Sequence, residues 1–325
     1  MIKLLLVLAG LTLAAPLPLT PAELIAARPA TTAGAPQIAN IPFDPPLDAA
    51  LRYRWEKTVR KNDETRMSWA VSDFRFEPRD RGYRLTITPV SSGSNERDPD
   101  RLAMEKRLEK LLNFPFVLHL DERGSIEQLE EGERYWSTIV QAMRDEFDRI
   151  GGKSELPSYP ETLKAVMGLY EKMPGQARLA LLTESIQPAL EFGGTETQIG
   201  KPIVTTIEGS SPFGGKLKRN VAISLTKVVD RKAFLSIQST LPRSELDALS
   251  AGMMASLVKL PAEKQAEMKR GMASLESFRH ETGSDYQVSV DDGMLDKFLS
   301  TETIEVSDKG KKQVRITTRS LDRVN

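Results

Sequence analysis

From Leu51 onward, apolar and polar residues alternate along the chain. Leu51, Tyr53 and Trp55 are spaced by Arg52, Arg54 and Glu56; Met67, Trp69 and Val71 are spaced by Ser68 and Ala70; Tyr83, Leu85 and Ile87 repeat the pattern. A period of two carried by aromatic and β-branched residues predicts antiparallel strands with one dry and one wet face. After the turn-forming Asp98-Pro99-Asp100 the period changes. Met104, Leu108, Leu111 and Leu112 fall at helical spacing and predict a short amphipathic helix over 101–112. Phe116, Leu118 and Leu120 alternate again, Glu122-Arg123-Gly124 turns the chain, and Ile126 with Leu129 begins a return strand. A hairpin with glycine supplying the positive φ is expected there. Trp136, Ile139, Val140, Met143, Phe147 and Ile150 then form one helical stripe, stopped by Gly151-Gly152.

Two more helices are expected after Pro160 and Pro174, each proline standing where a first helical turn accepts it. Leu163, Val166, Met167 and Tyr170 follow the first, and Leu179, Leu182 and Ile186 the second. Pro188 and Gly193-Gly194 close this helical middle, and strands are predicted over 203–207, 217–229 and 233–241. Leu246, Leu249, Met253, Leu257 and Leu260 make another helical stripe, interrupted at Pro261 and resumed by Met268, Met272 and Leu275. Strands over 286–290, 294–306 and 313–318 finish the chain. The two ends share a plan in which a strand turns at Gly124 or Gly293 into spaced apolar positions, Ile126 and Leu129 or Leu295 and Phe298. An internal duplication is one explanation and a chance turn match is the other.

These elements predict an α+β fold in which a curved antiparallel sheet is covered on one side by amphipathic helices, divided into a first half over 47–195 and a second over 196–325. About 280 residues remain for this body, enough to bury roughly three quarters of the unfolded surface. Upstream, Lys3 precedes an apolar run from Leu4 to Ala15 that ends in small residues. This reads as an export signal over 1–15, because a membrane span needs about 20 apolar residues. Pro16 disfavours cleavage after Ala15, which leaves Ala22, or a site as late as Ala35, as alternatives. Residues 16–46 hold eight of the 20 prolines with no apolar period and read as an extended, flexible tether. The expected location is periplasmic or secreted, soluble once the signal is removed.

Composition removes several kinds of chemistry. There is no cysteine, so disulfides, thiolate nucleophiles, cysteine metal ligands and a lipidated cysteine are excluded. Lys and Arg number 45 against 45 Asp and Glu, so no net field favours nucleic acid or an anionic membrane, and no nucleic-acid partner is expected. With His119 and His280 as the two histidines, a histidine-rich metal site is impossible. His119 lies between Leu118 and Leu120 and is expected on the wet face of its strand, and a structural or solvated role is favoured for both histidines. Gly151-Gly-Lys-Ser154 lacks the upstream glycine of a phosphate loop, since position 147 is Phe, and is read as a helix stop. Ser256-Leu-Val-Lys259 matches the Ser-x-x-Lys of penicillin-recognising enzymes without its partner elements, and no Gly-x-Ser-x-Gly elbow marks a serine. Asp145, Glu146 and Asp148 lie among Arg144 and Arg149, the mark of a solvated charged helix face. The basic groups Lys216-Lys218-Arg219 and Lys309-Lys311-Lys312 flank predicted strands and read as edge protection, with anionic headgroups as the other partner.

What remains is apolar. Met253, Met254, Met268, Met272 and Met294 cluster in one stretch, and flexible thioethers suit surfaces that accept variable apolar ligands. Trp55 and Trp69, with neighbouring Tyr53, Met67, Phe74 and Phe76, are expected to line a cavity on a curved sheet or to pack under its helices. In its order of elements, the alternating stretches around Trp55, Trp69 and Leu85, the Gly124 hairpin and the Met-rich helices, the chain resembles the half-barrel lipid and lipoprotein carriers of the bacterial envelope, the LolA and LppX-like group. The resemblance is architectural and spans roughly 47–320. It implies a protein that is not an enzyme and takes no cofactor, binding a lipid, acyl chain or other apolar ligand; no binding residue is carried over from that group, and the candidate contacts, Trp55, Trp69, Met253, Met254, Met268 and Met272, rest on the aromatic and methionine pattern of this chain alone. The alternatives are an envelope interaction module with a closed core and a protein partner, or an unrecognised hydrolase.

Overall fold

The computed structural model describes residues 38–151, 167–168, 170–210, 216–242, 244–245, 266, 275–308 and 311–324. The export signal, most of the proline-rich segment, the helix expected from Pro160 to Val166 and the methionine-rich stripe from Leu246 to Met272 lie outside the described residues. In chain order the strands are β1 (Ile38–Ile41), β2 (Leu51–Lys61), β3 (Glu64–Pro78), β4 (Tyr83–Ser94), β5 (Phe116–Leu120), β6 (Ile126–Leu129), β7 (Thr195–Gln198), β8 (Ile203–Ser210), β9 (Lys216–Val229), β10 (Lys232–Thr240), β11 (Leu275–Ser289), β12 (Leu295–Asp308) and β13 (Lys311–Val324). Helix α1 spans Pro99–Leu112, α2 spans Gly132–Gly151 and α3 spans Gly175–Thr183, followed by a short 3-10 turn at Gln187–Ala189.

The fold is α+β, built on a curved, open, antiparallel sheet of 11 strands. Its order is β6-β5-β4-β3-β2-β13-β12-β11-β10-β9-β8. Almost every neighbour is also the neighbour in sequence, as expected when short hairpins join strands. The exception is β2 against β13, which pairs the first long strand with the last, with Trp55 opposite Leu321. The first and last strands of this sheet in chain order therefore meet in its middle, while β1 and β7 form a separate two-stranded sheet. Asn62, at a φ of 54°, and Asp63 form the two-residue turn that joins Lys61 to Glu64, a turn conformation asparagine tolerates.

One face of the sheet is dry. Tyr53, Phe76, Leu85, Leu118, Leu120, Leu225 and Leu295 are almost fully buried there, each worth roughly 1.5–3 kcal/mol relative to exposure. Part of this face is roofed by a plug: every residue from 186 to 193 is buried, and the 3-10 turn packs on β12. Helix α2 does not press its stripe into this core. Trp136 and Val140 pack instead with Met167, Tyr170 and Met173 in a second cluster, and α1 leans on α2, tied by Arg107 to Glu146 at 2.7 Å. Glu146 is thus buried rather than part of a solvated face.

Three features depart from the sequence reading. First, residues 38–46 do not all hang free. Ile38–Ile41 pairs with β7, Ile41 is fully buried, and the Phe43 ring meets Phe76 and Tyr83 edge-on. Second, Leu275 opens strand β11 opposite Asp308, where the period had suggested the end of a helix. Third, Arg219, read as protection for a strand edge, lies 6% exposed inside the molecule.

Candidate functional site

Antiparallel register sets covered-face residues side by side in rows that cross the strands. One row runs Trp55, Leu321, Phe298, Tyr286, Leu235, Leu225 and is apolar throughout. Two residues further along each strand the row reads Lys57, Arg319, Ser300, Ser284, Ile237, Ile223. The next reads Thr317, Glu302, Thr282, Ser239, Val221, and beyond it Arg315, Ile304 and His280 align. A polar belt therefore crosses the covered face beside an apolar floor. Between them, under Glu184, Pro188 and Glu191, lies a partly enclosed cavity of about 70 Å³, measured as the volume open to the centre of a water-sized sphere. Trp55, Ile207, Val221, Ile237, Tyr286 and Phe298 form its apolar wall, and Arg219, Arg319, Glu302 and the hydroxyls of Ser239, Thr282, Ser284 and Ser300 form its polar wall.

The polar wall is held by a chain of charges. His280 Nε2 lies 2.8 Å from Glu302 Oε1, and Arg319 Nη2 donates to Glu302 Oε2 at 3.2 Å. Arg319 Nε faces Glu184 Oε1 at 3.1 Å as an ion pair without the alignment of a hydrogen bond. Burial pushes the Glu302 carboxyl upward, but the His280 hydrogen bond and the Arg319 charge pull it below the ordinary glutamate range, so it is an anion in the interior. Burial lowers Arg219, partly offset by the charge of Glu302, and burial likewise lowers Lys57 and Arg315. At the apolar end, Tyr286 donates its hydroxyl to Glu191 Oε2 at 2.6 Å. Burial raises Glu191 to about 7 in spite of that bond. Ser284 and Ser300 bond to each other at 2.9 Å, while the bonded nitrogen of each histidine meets a glutamate, His280 with Glu302 and His119 with Glu130. The wall thus offers donors and fixed charge beside an apolar surface, the arrangement that orients an amphiphile. Among the described residues no group of three or more His, Asp and Glu side chains is disposed to hold a metal ion.

No protein-family model matches the chain, and no curated protein matches it. Among solved structures it is similar to one titled "Lipid-protein interactions in lipovitellin". That match has 7% sequence identity and a TM-score of 0.39, covering 85% of this chain and 25% of that one. Nothing about this chain's ligand follows from it. Among the described residues no helix is long and apolar enough to cross a membrane.

The two candidate tryptophans lie on opposite faces. Trp55 pairs with Ala70 and lines the cavity, whereas Trp69 pairs with Glu56, lies against Gly93 and takes the Arg54 guanidinium 4.6 Å from its ring centroid on the outer face. Met67 sits on the outer face with Trp69, while Tyr53, Phe74 and Phe76 point into the core. Met253, Met254, Met268 and Met272 lie outside the described residues, as do the Lys153-Ser154 pair and the Ser256–Lys259 motif. Met294 is a plain core residue at 1% exposure. His119 points to the outer face as expected, where Glu130 joins it to Arg84.

Hydropathy alone did not point to Arg219, Glu302, Arg319, Ser284, Ser300 or Glu191. A signal existed in register. Once the turn pairs Lys61 with Glu64, position 55 must pair with 70 and 69 with 56, which separates the tryptophans. The same alternation in β13 sends Arg315, Thr317 and Arg319 inward and Val314 and Ile316 outward, the reverse of what their polarity suggests.

Proposed function

We propose that this protein is a non-catalytic carrier that holds the apolar part of a lipid or other amphiphile between the covered face of its sheet and the plug at 186–193. The observation that carries this reading is the partly enclosed cavity on that face, with an apolar wall from Trp55 to Phe298. Each buried methylene contributes about 0.8 kcal/mol, so retention without a specific polar contact takes burial of a chain of ordinary length and not of its first few carbons alone. The volume corresponds to roughly five waters at the centre-accessible size one water needs. It admits a head group and the first carbons of a chain, and a longer chain requires the Pro188–Glu191 roof to move outward. An envelope role like that of the LolA and LppX-like carriers belongs to the same reading, provided that the apolar leader directs export.

Native mass spectrometry of the protein purified without detergent and mixed with oleate tests this. A discrete one-to-one adduct is expected, and Ser239→Phe, which fills the cavity from β10, is expected to abolish it while cooperative unfolding persists. A bare protein mass at saturating oleate overturns the carrier reading.

A further inference from the structure

We propose that Glu191 is a proton-operated latch on this cavity: in its neutral form it seats the Pro188–Glu191 roof on the sheet, and on ionising it lets that roof lift and the cavity open. What the cavity then admits or releases rests on the carrier reading above; the motion itself does not.

The roof is tied to the sheet by polar contacts at both of its ends. Ahead of it, Glu184 faces Arg319 on β13 as an ion pair at 3.1 Å, a tie whose arginine keeps its charge at every ordinary pH. At its other end the Tyr286 hydroxyl on β11 donates to Glu191 Oε2 at 2.6 Å, and the Phe192 ring packs edge-on against the same tyrosine. Glu191 is 6% exposed, a setting that suits the neutral acid. The charges of the cavity wall are Arg219 on β9, Glu302 on β12, Arg319 on β13 and Glu184, with Lys57 on β2 near Glu184, while β8 and β10 contribute the uncharged Ile207, Ile237 and Ser239. Where the roof runs into Gly193 and Gly194, Arg123 lies against Gly194 and Asp292 adjoins Gly293. The Glu191 carboxyl responds instead to burial, which raises it to about 7, and to the Tyr286 bond, which lowers it. Tyr286 keeps its proton, since burial and the neighbouring carboxyl both raise it. An ionised Glu191 therefore meets a neutral donor, and a buried carboxylate so placed gains most by reaching water. Outward movement of the roof is the short way there, because 184–193 holds a 3-10 turn and no strand of the sheet. Seating is fully favoured below about 4.5 and is lost as pH rises through about 7. With the carboxylate fully solvated in the open form, the opening constant rises at most about seventyfold between pH 5 and pH 8.

Hydrogen exchange of the ligand-free protein, read by mass spectrometry on 184–193 and corrected for the intrinsic pH dependence of amide exchange, tests the latch. Exchange of this segment is expected to rise about tenfold or more from pH 5 to pH 8 while staying faster than that of β4 and β5. Glu191→Gln is expected to cut the rise to under about twofold. Tyr286→Phe, which removes the bond that lowers the Glu191 carboxyl, is expected to extend the rise to higher pH. A rate that ignores pH, an equal rise in Glu191→Gln, or a roof that exchanges no faster than β4 and β5 overturns the latch. The release rate of bound oleyl alcohol, a probe without a titrating group in this range, is the second measurement. A rise with pH in the unsubstituted protein, lost in Glu191→Gln, supports control of ligand exchange by the latch; a release rate that ignores pH while the roof responds overturns that control. Failure of the alcohol to bind at any pH overturns the carrier reading, while the latch is decided by hydrogen exchange alone. The pH series on the unsubstituted protein needs no variant, so a substitution that fails to fold leaves the latch exposed to failure.

Discussion

Glu191 and Glu302 are both buried carboxyls on the cavity wall, and they respond to burial in opposite ways because one has a hydroxyl partner and the other has the Arg319 guanidinium and a histidine hydrogen bond. The unfolded chain releases the Glu191 proton near 4.5, whereas the fold holds it to about 7. Between those values the native state binds more protons than the unfolded state. Stability therefore falls as pH rises through that window and levels off above about 7, a loss of about 3 kcal/mol. Glu191→Gln is expected to remove that slope and to be the more stable protein at pH 8, measured by urea unfolding at pH 5 and pH 8; parallel curves for both proteins would contradict the assignment. Glu302 is the reverse case. Replacing it by Gln takes the carboxylate from His280 and leaves Arg319 with Glu184 alone, and a loss of about 3–5 kcal/mol in the same assay at pH 7 is expected. A loss under about 1 kcal/mol would mean the network is not structural. Neither residue was visible in the hydropathy pattern: Glu302 holds an inward position of β12 where alternation expects an apolar residue, Glu191 lies in the plug outside any strand, and on neighbouring β11 the inward His280, Thr282 and Ser284 erase the alternation that marks a strand. The same polar inward positions hid the start of β11 at Leu275.

At the scale of elements, the two hairpins that shared a plan in the sequence both support the segment ahead of β2. Gly124, at a φ of 85°, lies under the Phe43 ring, and Gly293, at a φ of 72°, lies under the Pro42 carbonyl. A Cβ on Gly293 would stand 1.7 Å from that oxygen, so the segment must lift before any side chain fits. Gly293→Ala is expected to cost more than about 2 kcal/mol and to expose 38–46 to protease, because backbone strain of about 1–2 kcal/mol is added to a backbone clash. Gly200→Ala serves as the control: its φ of 77° carries the same strain, but nothing lies within 4 Å. If both variants lose the same stability, the docked segment contributes nothing. Most elements here were legible from the sequence: the long strands, α1, α2 and the Gly124 hairpin follow from period and turn chemistry. The docking of Ile41 and Phe43 was not, since a proline-rich composition says nothing about tertiary partners more than 30 residues away.

For the whole molecule, the pairing of β2 with β13 brings Trp55, Lys57, Leu321 and Arg319 together from the first and last strands of the large sheet in chain order. The cavity is thus a property of the assembled sheet, built from β2 and β8 to β13, and no local window of sequence contains it. Fold class was readable because it depends on patterns a few residues long; the site was not, because it depends on register across seven strands. The account's central claim is that this covered-face cavity receives a ligand. The most direct test leaves Trp55 as the sole tryptophan through Trp69→Phe and Trp136→Phe, and titrates oleate against its fluorescence, with a protein retaining Trp69 alone as the outer-face control. The account predicts a saturable change at Trp55 and none at Trp69; no response at Trp55, or an equal response from both, would contradict it.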